Sequence, residues 1–403
     1  MEKPKISTFG QGLIWFGAAV SLAEILTGTL IAPLGFKKGL IAILLGHLIG
    51  CILFYFSGFI GAKTGLSSMD NVKISFGKKG SVLFSSLNTL QLVGWTAVMI
   101  ISGAIAANNV FSFGGSTIWA VVISVFIILW VVIDIDKLSK LNTIAMIMLF
   151  VLTVILSFIV FKGNNTSTFT ETISFGAAVE LSIAMPLSWL PLVSDYIKDA
   201  KKPKESITVS SIVYFVASSW MYIIGMGAAL YTGESDISKI MAAAGLGIAA
   251  LIIIIFSTVT TTFLDVYSAG VSLNSISKVF NVKWTAIAIC IIGMLLAIFT
   301  PITQYENFLY LIGSVFAPMI SIQIADNFIL KKNNINKDNI NKNFDFINLI
   351  LWIIGFIIYR LFMKIDTPIG NTIPVMIIII LITTVIGKIK GGINNDKKNV
   401  KKS

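Results

Sequence analysis

Charge is scarce in this chain. Only 12% of its 403 residues are Asp, Glu, Lys or Arg, while 56% are hydrophobic; soluble domains average about 25% charged and about 45–50% apolar. That imbalance excludes a soluble globular protein. Histidine and cysteine are nearly missing too, with one His and two Cys. His47 stands in an apolar span with no cluster of metal-binding side chains around it in the sequence, which argues against a zinc site. Cys51 and Cys290 fall in separate apolar runs and read as small core hydrophobes, not as a disulfide framework. There is no HExxH, no Walker loop and no paired Cys–His. A metalloprotease, an ATP-driven pump and a nucleophilic membrane enzyme therefore lack their usual machinery. The N-terminal apolar run has no small-residue cleavage pattern after it, so it reads as a retained span.

What the chain does have is long apolar runs, all the way to its C-terminal region. At about 20 apolar residues per crossing, twelve spans fit: 11–34, 39–63, 81–108, 117–135, 142–162, 176–197, 207–230, 246–277, 284–300, 305–330, 345–363 and 370–388. The stretch SDISKIMAAAGLG before the eighth reads as an amphipathic external piece. With the N-terminus placed in the cytoplasm, 24 of the 30 Lys and Arg fall in cytoplasmic segments and 6 outside. This positive-inside asymmetry predicts cytoplasmic N- and C-termini in a multi-pass plasma-membrane protein. It also accounts for the net charge of +11 without any nucleic-acid partner. The Lys-rich tail 389–403 reads as a solvated segment near anionic lipid.

Ionisable groups inside spans mark function by default. Asp134, Asp195 and Asp326 lie near cytoplasmic span ends and suit structural or gating roles. Glu180 is read as first-turn, where a carboxylate suits a helix N-terminus. Glu24 and Asp265 differ, because both fall near the middle of their spans. Four spans share midplane polarity. The first carries Ser21, Glu24, Thr27 and Thr29. The third carries Gln91 and Trp95, four apart and so on one helix face. The sixth carries Ser188 and Trp189 between Pro186 and Pro191, two prolines that disfavour continuous helix. The eighth carries Ser257, Thr260, Thr261 and Asp265. Ser and Thr in spans also bond back to their own helix or join neighbours, but four signals at one depth point to a shared central site.

Spans one and six are the expected broken helices, interrupted near Gly28 and Pro186–Pro191; spans three and eight are the polar pair. Both pairs are five spans apart. Two five-helix repeats of inverted topology have this spacing, and broken helices at corresponding positions point to a transporter binding site. An ion channel would more naturally build rings from symmetric subunits.

Several motifs resemble the nucleobase:cation symporter-1 family: TGLSSMDNVKISFGKKGS after span two, LSWLPLVSDYIKDAKKP after the sixth-span break, TTTFLDVYSAG in span eight and FAPMISIQIADNFIL in span ten. The resemblance covers nearly the whole chain. SLAEILTGTLIAPLG with STVTTTFLDVYSAGVS is most similar to the CytX branch, which implies import of hydroxymethylpyrimidine, the thiamin precursor. The resemblance implies an all-α, LeuT-like 5+5 inverted-repeat core, with repeats at 11–162 and 176–330 and two additional helices at 345–388. By position, Trp95 would stack on a planar ring and Gln91 would hydrogen-bond it, with Ser188 and Trp189 as polar contact and second wall. Ser257, Thr260 and Thr261, with backbone near Ser21, would hold a coupling cation. Neither a cofactor nor a resident metal is implied beyond Na+ or H+ as coupling ion, and a monomer would suffice. Glu24 and Asp265 depart from the neutral residues of cytosine and hydantoin carriers. A carboxylate can accept from a ring amino group, and a protonated carboxyl can donate to a ring nitrogen. Glu24 is thus a candidate reader of an aminopyrimidine. Asp265 either shares that role or carries a coupling proton. A cytosine or purine permease is the alternative within the class.

Overall fold

The computed structural model describes residues 5–133, 139–162, 169, 172–232, 236, 238–239, 247–300, 305–332 and 342–400. Fifteen α-helices carry the description: α1 Thr8–Ala19, α2 Leu22–Ile31, α3 Phe36–Thr64, α4 Ser68–Phe76, α5 Gly80–Val110, α6 Gly115–Val132, α7 Ser139–Phe161, α8 Phe175–Trp189, α9 Val193–Ile197, α10 Pro203–Tyr231, α11 Gly247–Ile276, α12 Val282–Phe299, α13 Tyr305–Ile324, α14 Phe346–Phe362 and α15 Thr372–Val400. Among the described residues eight helices are each long and apolar enough to cross a bilayer, and the bent pair α1–α2 makes a ninth. Three shorter apolar helices, within α7, α8 and α14, occupy the remaining expected positions. The described spans are all helical, one of the two backbone forms a bilayer admits, since every N–H and C=O in hydrocarbon needs a partner and a helix supplies them within its own segment.

The first span is broken, but not where the Thr27-Gly28-Thr29 patch suggested. Its two halves meet at 52° across Val20–Ser21. Ser21 starts the second half as its N-cap, its hydroxyl accepting from the Glu24 N–H at 3.3 Å. Gly28 is interior to α2 and serves packing. A Cβ there would stand 2.2 Å from the Tyr222 carbonyl oxygen, and one at Gly225 would stand 2.0 Å from that of Ile25. These reciprocal glycines let α2 and α10 cross backbone to backbone, the close approach that membrane helix pairs use. The sixth span also differs in detail. Pro186 lies inside α8, and the interruption falls at Leu190–Leu192, around Pro191, before the short α9.

α10 packs against α1, α2 and α3, α8 against α3, and α11 along α5, so both breaks are enclosed by long helices. α14 and α15 pack on α13. Glu180 is in the second turn of α8 and caps a different helix from its own. Its carboxylate accepts from the N–H groups of Asn371 and Thr372 at 2.7 and 2.9 Å, and from the Tyr359 and Thr372 hydroxyls at 2.5 and 2.6 Å. The negative charge meets the positive end of the α15 dipole, joining the C-terminal pair to the span that carries Trp189. Asp195 is buried and holds the Ser68 N–H at 2.9 Å, pinning α4 beneath the sixth-span break. Asp326 pairs with Lys332 at 2.5 Å and accepts from Asn348. The helix α15 continues to Val400, through most of the segment expected as a tail. Asp134 and most of the expected external piece 235–247 lie outside the described residues.

Candidate functional site

A small cavity lies beside the break at Val20–Ser21, between α1, α2, α5, α8 and α11. Ser21, Glu24, Trp95 and Ser188 line it, joined by Trp189, Thr261 and Asp265. Seven of the ten residues singled out from sequence thus converge on one space from four spans. The cavity volume is ≈ 20 Å³, about what one water needs. Met99 and Met185 also line it, with Ala18 and Ala23; the unbranched methionine side chains are the ones that can shift to admit something larger.

Trp95 is buried, with its indole N–H unpartnered. Tyr305 and Phe308 meet it edge-on, at 6.1 and 5.4 Å between ring centroids, and fix its plane. Trp189 is the last residue of α8, and its indole N–H donates to the Tyr214 hydroxyl at 2.7 Å. Tyr214 in turn donates to Glu24 Oε1 at 2.7 Å. The other carboxyl oxygen, Oε2, lies 2.8 Å from Ser218 Oγ, which lies 2.7 Å from His47 Nε2. Glu24 is therefore held at both oxygens by α10. Asp265 is buried against the same cavity and makes no hydrogen bond or ion pair among the described residues.

Three expected site residues stand off the cavity. Gln91 donates to Asn88 Oδ1 and to the Ser188 carbonyl, both at 3.0 Å, so its amide nitrogen tethers the end of α8; its Oε1 is buried and unpartnered. Ser257 donates to the Val20 carbonyl at 2.6 Å. Thr260 turns back to the Phe256 carbonyl of its own helix at 2.8 Å. Thr261, which does line the cavity, donates to the Gly17 carbonyl at 3.1 Å. Two hydroxyls of span eight thus meet carbonyls freed at the end of α1, an all-oxygen grouping of the kind a hard cation takes. Ser188's hydroxyl donates to the Met185 carbonyl at 2.7 Å.

A family model described as "Permease for cytosine/purines, uracil, thiamine, allantoin" matches residues 2–387. The chain belongs to this family. Cytosine permease of Escherichia coli (strain K12) is 27% identical over 324 residues, covering 78% of this chain and 75% of that protein. Hydantoin permease of Microbacterium maritypicum is 21% identical over 366 residues, covering 82% and 74%. Among solved structures, the fold matches Mhp1, a nucleobase-cation-symport-1 transporter in a closed conformation with bromovinylhydantoin bound. The TM-score is 0.80 at 17% identity, covering 94% of this chain and 92% of that one. It also matches a Na+-coupled sialic acid symporter with a TM-score of 0.68 at 16% identity, over 96% and 90%. This nucleobase:cation symporter-1 member is accordingly a LeuT-like secondary transporter and not an enzyme.

His47, Tyr214 and Ser218 were not anticipated. His47 has no metal-binding neighbours in the sequence, and its partner Ser218 lies 171 residues on. Tyr214 and Ser218 sit four apart, one helical turn, on the α10 face that meets Glu24. That spacing was visible, but its partner was 190 residues away.

Proposed function

We propose that this permease imports a pyrimidine-type solute by alternating access coupled to Na+ or H+, and that hydroxymethylpyrimidine, the thiamin precursor, is the best-fitting solute. One observation carries the reading: indole rings from two spans and two carboxyls share one small cavity at the first-span break. A flat heteroaromatic ring gains apolar area and a fixed plane from an indole face. An amino substituent needs an acceptor, and the unengaged Asp265 carboxyl is the better placed one, since both Glu24 oxygens already have partners. Unpaired buried polar groups strongly disfavour a ligand that fails to meet them. The unpartnered Trp95 N–H fits a ring nitrogen acceptor in the same way.

The cation reading rests on Ser257 and Thr261 against the Val20 and Gly17 carbonyls; Thr260 and Ser21 are peripheral to it. The lysine distribution supports cytoplasmic N- and C-termini in the plasma membrane, and nothing in the site requires a second copy of the chain. Two five-helix repeats at 11–162 and 176–330 remain the organising scheme, with breaks at 20–21 and 190–192. A cytosine or purine solute is the second reading, favoured by the similarity to Escherichia coli cytosine permease. Uptake of labelled hydroxymethylpyrimidine, cytosine and hypoxanthine into proteoliposomes, under imposed Na+ or H+ gradients, separates the two. Saturable hydroxymethylpyrimidine uptake that excess cytosine does not block supports the first reading. Preferential cytosine or hypoxanthine uptake replaces it with the second.

A further inference from the structure

The chain's single histidine is buried in α3 and joined to Glu24 through one hydroxyl. Three distances define the arrangement: His47 Nδ1 to the Ile43 carbonyl at 2.9 Å, His47 Nε2 to Ser218 Oγ at 2.7 Å, and Ser218 Oγ to Glu24 Oε2 at 2.8 Å. A carbonyl only accepts, so Nδ1 must carry a hydrogen. A neutral imidazole has one hydrogen, which leaves Nε2 an acceptor and obliges Ser218 to donate to it. Ser218 then offers Glu24 only lone pairs, so Oε2 must carry a hydrogen. The alternative is an imidazolium: Nε2–H donates to Ser218, and Ser218 donates to an ionised Glu24. Both arrangements pair every atom, and both hold the same number of protons. They interconvert when Glu24 passes its proton to Ser218 as Ser218 passes its own to Nε2.

Other proton counts fail. Without the shared proton, a carboxylate and a bare Nε2 compete for the one hydroxyl hydrogen, and one contact becomes acceptor against acceptor. With one proton too many, both neighbours donate into Ser218 and its own hydrogen has no acceptor in the trio. Buried unpaired groups are strongly unfavourable. We propose that Glu24, Ser218 and His47 form a binding site for one proton, and that this proton moves with the solute. The second part rests on the cavity being the solute site.

The link to the cavity runs through Oε1. Tyr214 can donate to that oxygen in both arrangements, and Tyr214 itself accepts from the indole N–H of the cavity wall Trp189. A ring lying against Trp189 would therefore fix the donor that holds Glu24. The other titratable groups around the trio are Cys51 on α3, Tyr222 on α10, which meets the His47 ring edge-on at 4.6 Å, Tyr305 on α13 and Asp265 across the cavity. No lysine or arginine lines the cavity, so the proton has no fixed cation to compete with there.

A sole histidine makes the test unambiguous, because 15N-histidine labelling of the intact protein in nanodiscs reports on His47 alone. The expected spectrum shows Nδ1 protonated throughout and the Nε2 signal shifting in one step with pH, as loss of the shared proton turns the Ser218 hydrogen between Nε2 and Glu24. Glu24→Gln should displace or abolish that step. Ser218→Ala, a smaller perturbation if the Gln variant folds poorly, should also displace it by cutting the bridge. An Nε2–H tautomer with a bare Nδ1, or a step identical in the wild type and both variants, overturns the site. In vesicles with a lumenal pH dye, wild-type solute entry should acidify the lumen, and the Ser218→Ala variant should lose that acidification per solute taken up. Solute uptake with no proton entry overturns the coupling while leaving the pyrimidine reading intact. A bridge-dependent histidine step with no uptake of any pyrimidine supports the proton site and sinks the solute reading instead.

Discussion

Replacing Tyr214 by Phe removes one oxygen from the chain and two hydrogen bonds from its centre. The Trp189 indole N–H loses its acceptor and Glu24 Oε1 loses its donor, each at 2.7 Å in the native structure. Both groups are buried. A buried polar group left unpaired is destabilising by about 1–3 kcal/mol, so Tyr214→Phe should weaken the protein by roughly 2–6 kcal/mol if neither group finds a substitute. Trp189→Phe deletes the indole N–H and part of the ring, and leaves Tyr214 on Glu24. The double variant contains no orphaned indole N–H at all. It should therefore be less damaged than the two single variants added together, by about 1–3 kcal/mol. Thermal unfolding of the four proteins in detergent, read as a double-mutant cycle, provides the coupling. Effects that add to within about 0.5 kcal/mol, the range for independent sites, would refute the claim that this relay joins the span-six wall to Glu24.

Three further outcomes follow from the same geometry. Trp95→Ala should lower solute affinity by about 1–3 kcal/mol, the scale of base–aromatic stacking, measured by equilibrium binding; unchanged affinity rejects Trp95 as a ring platform. Thr261→Val keeps the shape but cannot bridge a cation to the Gly17 carbonyl, so Na+ stimulation of uptake should fall; uptake that ignores Na+ in the wild type removes the cage from the mechanism. Gly28→Ala drives a methyl into the Tyr222 carbonyl at 2.2 Å. Overpacking of this kind is destabilising by about 1–3 kcal/mol, so its melting temperature should drop, and a wild-type value would show that α2 and α10 are not locked.

Much of this was legible because the bilayer simplifies the code. Hydropathy alone placed twelve apolar segments, and polar residues inside them stood out against a background that excludes them. Seven of the ten chosen residues reached one cavity for that reason. The first break lies at 20–21 and not at the weak helix formers 27–29, because a stronger signal precedes them. Ser21-Leu22-Ala23-Glu24 is an S-x-x-E sequence, the usual mark of a new helix start, and α2 begins there. Gly28 was a packing residue, a role that depends on Tyr222, far away in sequence. Glu180 is a similar case, since its partners Asn371 and Thr372 lie 191 and 192 residues on. The His47–Ser218–Glu24 bridge joins three separate spans; no local pattern encodes a contact between α3, α10 and α2.

The central claim is that the cavity at the first-span break receives a planar pyrimidine. A structure of the protein with bound hydroxymethylpyrimidine tests it most directly. The account predicts ring density against Trp95 and Trp189, an amino group within hydrogen-bond reach of Asp265 or Glu24, and Met99 and Met185 displaced to make room. Density instead in the separate groove lined by Trp130, Phe263 and Tyr267, with the first-span cavity unchanged, would contradict it.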